Sequence, residues 1–201
     1  MEEKKLALVS KIHYELEDKG IELRNLALIH KDRTELLARI KAKSRKRPIY
    51  FYRYLEDLPE FLGGNDAVLE YIPNGDNTNK KIYFANSFVN YTDSPFSDIY
   101  IEFTDSVYVL IPEDKKFDAI ITNRDREIGN GHLRENDTEY KLMVEISDKI
   151  DTTVPGHINI YTYYEPCLSC DNVFIQFSKK FPNVSVNVYF SDEYKSKKWV
   201  V

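Results

Sequence analysis

The last third of the chain alternates two hydrophobic periods, and this alternation limits its possible folds more than any other feature. "KFDAIIT" (116–122), "HINIYTY" (157–163) and "VSVNVYF" (184–190) read as strands. Between them, Asp137 to Ile150 sets Met143, Ile146 and Ile150 on one helical face. Cys167 to Phe181 does the same with Val173, Phe174 and Phe177. A β-α-β-α-β order with right-handed crossovers predicts an α/β architecture, a layered sheet with helices packed on it. Each predicted helix opens just after a strand or loop, so any chemistry carried at those openings sits beside the sheet.

The first 115 residues read differently. Leu6, Val9, Ile12 and Leu16 recur every three to four residues, predicting a helix closed by Gly20. A second helix is expected from Asp32, with Glu35 at capping-box spacing, through Leu36, Leu37 and Ile40 as far as Pro48. "IYFYRYL", "KKIYFANSFV", "DIYIEF" and "SVYVLI" are short, aromatic and β-branched, and are separated by Gly, Asn, Asp and Pro clusters, which predicts strands. The organisation expected is therefore an N-terminal α+β extension over residues 1–115, either separate or part of the same domain, followed by an α/β domain over 116–201.

Composition narrows the function classes. The net charge of −5 argues against a strongly basic nucleic-acid binder. Cations exceed acids in the first fifty residues and acids dominate 51–115, so nucleic-acid contact would have to be local. "KAKSRKR" (41–47) is either a solvated helix end favoured by the dipole or a phosphate-contacting patch. No apolar run is long enough to span a bilayer, and Met1 is followed by Glu2, Glu3, Lys4 and Lys5. The expectations are no membrane insertion, no targeting signal and action in a cytoplasm. The two cysteines, spaced C-x2-C, cannot frame a disulfide scaffold, which leaves metal ligation, a redox pair or chance.

Two motifs carry chemistry: "DTE", Asp137 to Glu139, and "PCLSC", Pro166 to Cys170. Zinc deaminases of nucleobases place one ligand two residues before a catalytic Glu on one helix and open the next with Pro-Cys-x-x-Cys. Two thiolates and one further ligand hold Zn²⁺ with a fourth position open for water, whose pKa the ion lowers. A helix N-terminus favours the thiolate form, and Pro166 suits its mouth because a missing N–H is no loss there.

The stretch "RENDTEYKLMVEISDKI" together with "GHINIYTYYEPCLSCDNVFIQFSKKFPNVSVNVYF" resembles the bacterial toxin deaminases of the cytidine deaminase-like superfamily, in particular the branch with DSEYK or DTEYK and PCxSC. The likeness covers about residues 120–190. It implies a cytidine deaminase-like α/β/α fold, a catalytic zinc, and hydrolytic deamination of a base, cytosine in nucleic acid first among the substrates. By the same resemblance Asp137, Cys167 and Cys170 are the metal ligands and Glu139 the proton shuttle, with a dedicated immunity protein as partner and a target cell's cytoplasm as the place of action.

Asp137 departs from the His or Cys usual in the superfamily and leaves the ligand set with a formal negative charge. Arg134, and after it Lys141, are the cations placed to offset that charge. Tyr161, Tyr163 and Tyr164 lie close to the cysteine motif and are candidates to line a base pocket or to pack in the core. His132 lacks the ligand spacing to Glu139, and His157, His13 and His30 have no metal-ligand partner at useful spacing. Four other readings remain open: a free nucleoside or nucleotide deaminase, a thioredoxin-like redox pair, for which Pro166 replaces the usual Trp, a structural zinc module, and a catalytically dead deaminase relative used for binding.

Overall fold

The computed structural model describes residues 9–44, 54–94, 96–100, 102–103, 106–123 and 126–192. Six strands form one mixed sheet: β1 (Val9–His13), β2 (Asp66–Pro73), β3 (Lys81–Asn86), β4 (Val107–Tyr108), β7 (Gly156–Tyr164) and β8 (Val184–Asp192), in the order β1-β8-β7-β2-β3-β4. β1, β8 and β7 run parallel, β2 is antiparallel to both β7 and β3, and β4 is parallel to β3. A small antiparallel pair stands apart, β5 (Ile121–Thr122) with β6 (His132–Leu133). The helices are α1 (Asp18–Ser44), α2 (Leu58–Gly63), α3 (Ser97–Tyr100), α4 (Thr138–Ser147) and α5 (Leu168–Lys180).

Period-two alternation assigns the two faces of the sheet. Ala67, Leu69, Ile158, Ile160, Val184, Val186 and Val188 join Leu142, Met143, Val173 and Phe177 in the core beneath α4 and α5. The opposite face sends Val68, Phe84, Tyr161 and Tyr189 against Leu23 and Ala27 of α1. The result is helix, sheet, helix, with β7 central and the two site helices on one side.

The strands "HINIYTY" and "VSVNVYF" and both late helices stand where the sequence places them. Several early expectations are corrected. Val9 to His13 form a strand, paired in parallel with Val186 to Phe190, and not a helix. Gly20 lies inside the first turns of α1, which continues unbroken past Asp32, so Gly20 ends no helix and Asp32 starts none. "DIYIEF" contributes α3 rather than a strand, and Tyr54 and Leu55 of "IYFYRYL" are helical, its first residues lying outside the described ones. "KFDAIIT" yields only the two residues of β5, outside the main sheet. The central strand β2, "DAVLEYIP", was not foreseen at all.

Candidate active site

Two helix starts face each other at the C-terminal end of β7. Asp137 is the N-cap of α4, but its side chain makes no capping bond. Its Oδ2 is turned instead to the sulfurs, 3.2 Å from Cys167 Sγ and 3.4 Å from Cys170 Sγ. Cys167 is the N-cap of α5, where its Sγ accepts from Cys170 N at 3.4 Å. The thiols are free and 3.4 Å apart, far beyond a disulfide bond. Asp137, Cys167 and Cys170 are the one group of potential metal-holding side chains of this kind among the described residues, with ligand atoms within 4.8 Å of one another.

Does zinc fit this donor set? Bonds of about 2.3 Å to sulfur and about 2.1 Å to a carboxylate oxygen, at tetrahedral angles, separate neighbouring donors by about 3.5–3.8 Å. The observed 3.2–3.4 Å therefore needs only a small outward shift. Without a cation, contact with Cys167, burial and the neighbouring carboxylates push the Cys170 thiol well up. A divalent ion reverses that logic, because coordination deprotonates the thiol.

Glu139 is buried in the first turn of α4, with its Oε2 3.7 Å from Cys170 Sγ. Burial, and then the Asp137 charge, raise its pKa above the ordinary carboxylate value. Opposing them, Thr138 Oγ1 donates to Oε2 at 3.0 Å and Thr162 Oγ1 donates to Oε1 at 2.8 Å. Arg134 lies on the other side of Asp137: its Nη1 is 3.7 Å from Oδ1, and its Nε donates to Thr122 O at 3.2 Å. The two oxygens of Asp137 thus divide their neighbours, sulfur on one and guanidinium on the other.

A cleft of about 190 Å³ opens over this cluster, bounded by Asn65, Ser87, Arg134 and Tyr164. That is small beside the roughly 300–1,000 Å³ of drug-sized ligand pockets and suits a single flat ring. Tyr164 borders the cleft, and Tyr163, half exposed, packs edge-on against it with centroids 4.9 Å apart. Tyr161 is buried on the α1 side of the sheet, its hydroxyl 2.7 Å from Ser191 Oγ, so it belongs to the core.

Lys141 is fully buried, and its Nζ donates to Asn86 O, Val89 O and Asn90 Oδ1 at 2.9, 3.1 and 2.6 Å. Its charge therefore braces the 86–90 loop, which carries Ser87 to the cleft. His132 and His157 are exposed, and His30 is stacked on Phe84 at 4.0 Å, away from the cluster. Within the basic segment, Lys41 pairs with Glu102 at 2.5 Å, Lys43 is exposed, and residues 45–47 lie outside the described ones.

Sequence reading missed Asn65, Ser87 and the roles of Thr138 and Thr162. Thr138 stood inside the DTE motif and Thr162 on the alternating strand, but only the pairing of β2 with β7 brings Asn65 to them.

A mixed sheet between helix layers, with Asp-x-Glu opening one helix and Cys-x-x-Cys the next, defines a protein of the deaminase class. Residues 40–192, well over half of the chain, match the Toxin-deaminase family model, described as the BURPS668_1122 family of deaminases, and the chain belongs to that family. No curated protein and no solved structure matches it significantly.

Proposed function

We propose that this protein is a zinc-dependent hydrolytic deaminase converting cytosine to uracil in nucleic acid, acting as a toxin in the cytoplasm of a target cell. The observation that carries the reading is the convergence of Asp137, Cys167 and Cys170 within 4.8 Å, with the Glu139 carboxylate alongside and not among the donors. Those three side chains would hold the ion, which supplies Lewis-acid activation of water when bound. Glu139 would take one proton from the attacking water and pass it to the ring nitrogen, then carry the second proton of the same oxygen to the amino group, so that ammonia leaves and the oxygen stays on the ring carbon as the carbonyl. Arg134 offsets the charge of the Asp137 carboxylate. Tyr164 offers a face for stacking one base, which must be single-stranded or flipped out to reach a cleft this small. A cognate immunity protein is the partner this reading expects.

The test combines metal analysis with a uracil-appearance assay on single- and double-stranded DNA and RNA, for wild type and Glu139→Ala. The expected result is one zinc per chain in both proteins and conversion lower by about a hundred- to ten-thousandfold in the variant, the typical worth of a positioned proton carrier. Zinc without conversion of any polymer would move the substrate to a free nucleoside or nucleotide. A reversible Cys167–Cys170 disulfide with no metal would replace the reading by a redox pair.

A further inference from the structure

Asn65 precedes β2 and shares no motif with the site, yet every polar group it carries is used there. Its backbone N–H donates to Ser87 Oγ at 2.9 Å. Its Oδ1 accepts from Tyr163 N at 3.1 Å, and its Nδ2 donates to both Thr138 Oγ1 and Thr162 Oγ1 at 2.9 Å. Both threonines are fully buried, and each also touches one oxygen of Glu139.

The proton directions in this network follow from donor inventory alone. A backbone N–H can only donate, so the Asn65 atom facing Tyr163 is the carbonyl oxygen and the atom facing the threonines is the NH₂ group. An NH₂ group cannot accept here, so each hydroxyl accepts from Asn65 and has one proton left. Both of those protons point at Glu139, one at each carboxylate oxygen.

We propose that Asn65 is a positioning residue for the deamination: by committing the hydroxyls of Thr138 and Thr162 as donors, it fixes the plane of the Glu139 carboxylate and keeps it an acceptor facing the cleft. This rests on the role proposed for Glu139. One amide thereby sets two hydroxyl rotors, and neither can turn to compete for the proton that Glu139 is to receive. Asn65 also ties the ends of β3 and β7 together, through its backbone N–H to Ser87 and its Oδ1 to Tyr163, so Glu139 is referenced to the sheet as well as to its own helix.

Asn65→Asp tests this with almost no change of shape. It keeps the acceptor for Tyr163 N–H and replaces the NH₂ by a second acceptor, which draws the threonine protons away from Glu139. Expected are a kcat lower by roughly ten- to hundredfold, as for loss of hydrogen bonds to a charged group, a KM within about twofold of wild type, and unchanged zinc per chain. In crystals of the variant, Glu139 should leave at least one of the two threonines. Thr162→Val should show the same loss of kcat and Thr162→Ser should restore it, because only the hydroxyl matters. A wild-type kcat in Asn65→Asp, or equal losses in Thr162→Val and Thr162→Ser, would overturn the inference. If the wild-type protein deaminates nothing, the proposed reaction fails by itself. Crystals of Asn65→Asp then decide the positioning alone: Glu139 still bonded to both hydroxyls sinks it, and a displaced Glu139 upholds the geometric part.

Discussion

Lys141 shows how a single side chain near the site couples charge to stability. It is fully buried, and burial pushes its pKa down to about 7 against the pull of the Asp137 carboxylate. An unfolded lysine keeps its proton up to about pH 10.4. Between those values the unfolded chain binds more protons than the folded one, so stability rises with pH from about 7 upward; below 7 both states hold the proton and the slope vanishes. In the metal-free protein, the unfolding free energy of wild type relative to Lys141→Met should therefore climb between pH 7 and 9, by at most about 1.4 kcal/mol per pH unit. Chemical denaturation at pH 7, 8 and 9 measures it, and parallel curves for the two proteins would mean that the ammonium persists, held by Asn86, Val89 and Asn90. The identity of this residue was visible in the sequence. Its burial was not, because the acceptors that make burial tolerable lie more than fifty residues away.

Whether an element was legible depended on whether its pattern was local. The strands β7 and β8 alternate cleanly because Ile158, Ile160, Val184, Val186 and Val188 face the core beneath α4 and α5 while His157, Asn159, Ser185 and Asn187 point to the other side, and α4 and α5 carry their own starts in Asp137 and Cys167. The convergence of Asp137, Cys167 and Cys170 was readable for the same reason, since it needs only two helix N-termini. β1 misled because Val9 and Ile12 fit a helical period as well as a strand, and the parallel pairing with β8, set across the whole chain, decides between them. Gly20 misled in a more instructive way. It resembles a helix stop, yet it sits in the opening turns of α1, where a Cβ would lie 2.5 Å from Tyr14 O and 2.8 Å from the Tyr189 ring. Helix propensity alone would make Gly20→Ala stabilising by about 0.5–1 kcal/mol. Overpacking against backbone costs about 1–3 kcal/mol and wins, so Gly20→Ala should lower stability by about 1–2 kcal/mol in a denaturant titration. A gain would show that α1 can move off β8 freely.

At the scale of the molecule, the sheet order sets β8 and β7 between β1 and β2, so strands from both sides of residue 115 share one layer. The family match begins at residue 40, which leaves β1 and most of α1 outside it. That part is nevertheless built into the core: Leu23, Ala27 and Ala38 are buried, and Leu23 and Ala27 cover Val68, Phe84, Tyr161 and Tyr189 on the face opposite the site. Uncovering three or four large apolar side chains costs about 1.5–3 kcal/mol each. The sum, of order 5–10 kcal/mol, is comparable to the roughly 5–15 kcal/mol that a whole domain has. Strand β1 adds five residue pairs along β8, which carries Ser191 and Asp192 up to the level of the cysteine loop. A fragment of residues 40–201 should therefore show no cooperative thermal transition and bind no stoichiometric zinc, although it contains all three candidate ligands and Glu139. Circular dichroism melting and metal analysis of the fragment beside the full chain measure both quantities. A fragment that melts sharply with one metal bound would show that the α1 face can be left bare, and that the site depends on β2, β7, β8 and the two helices alone.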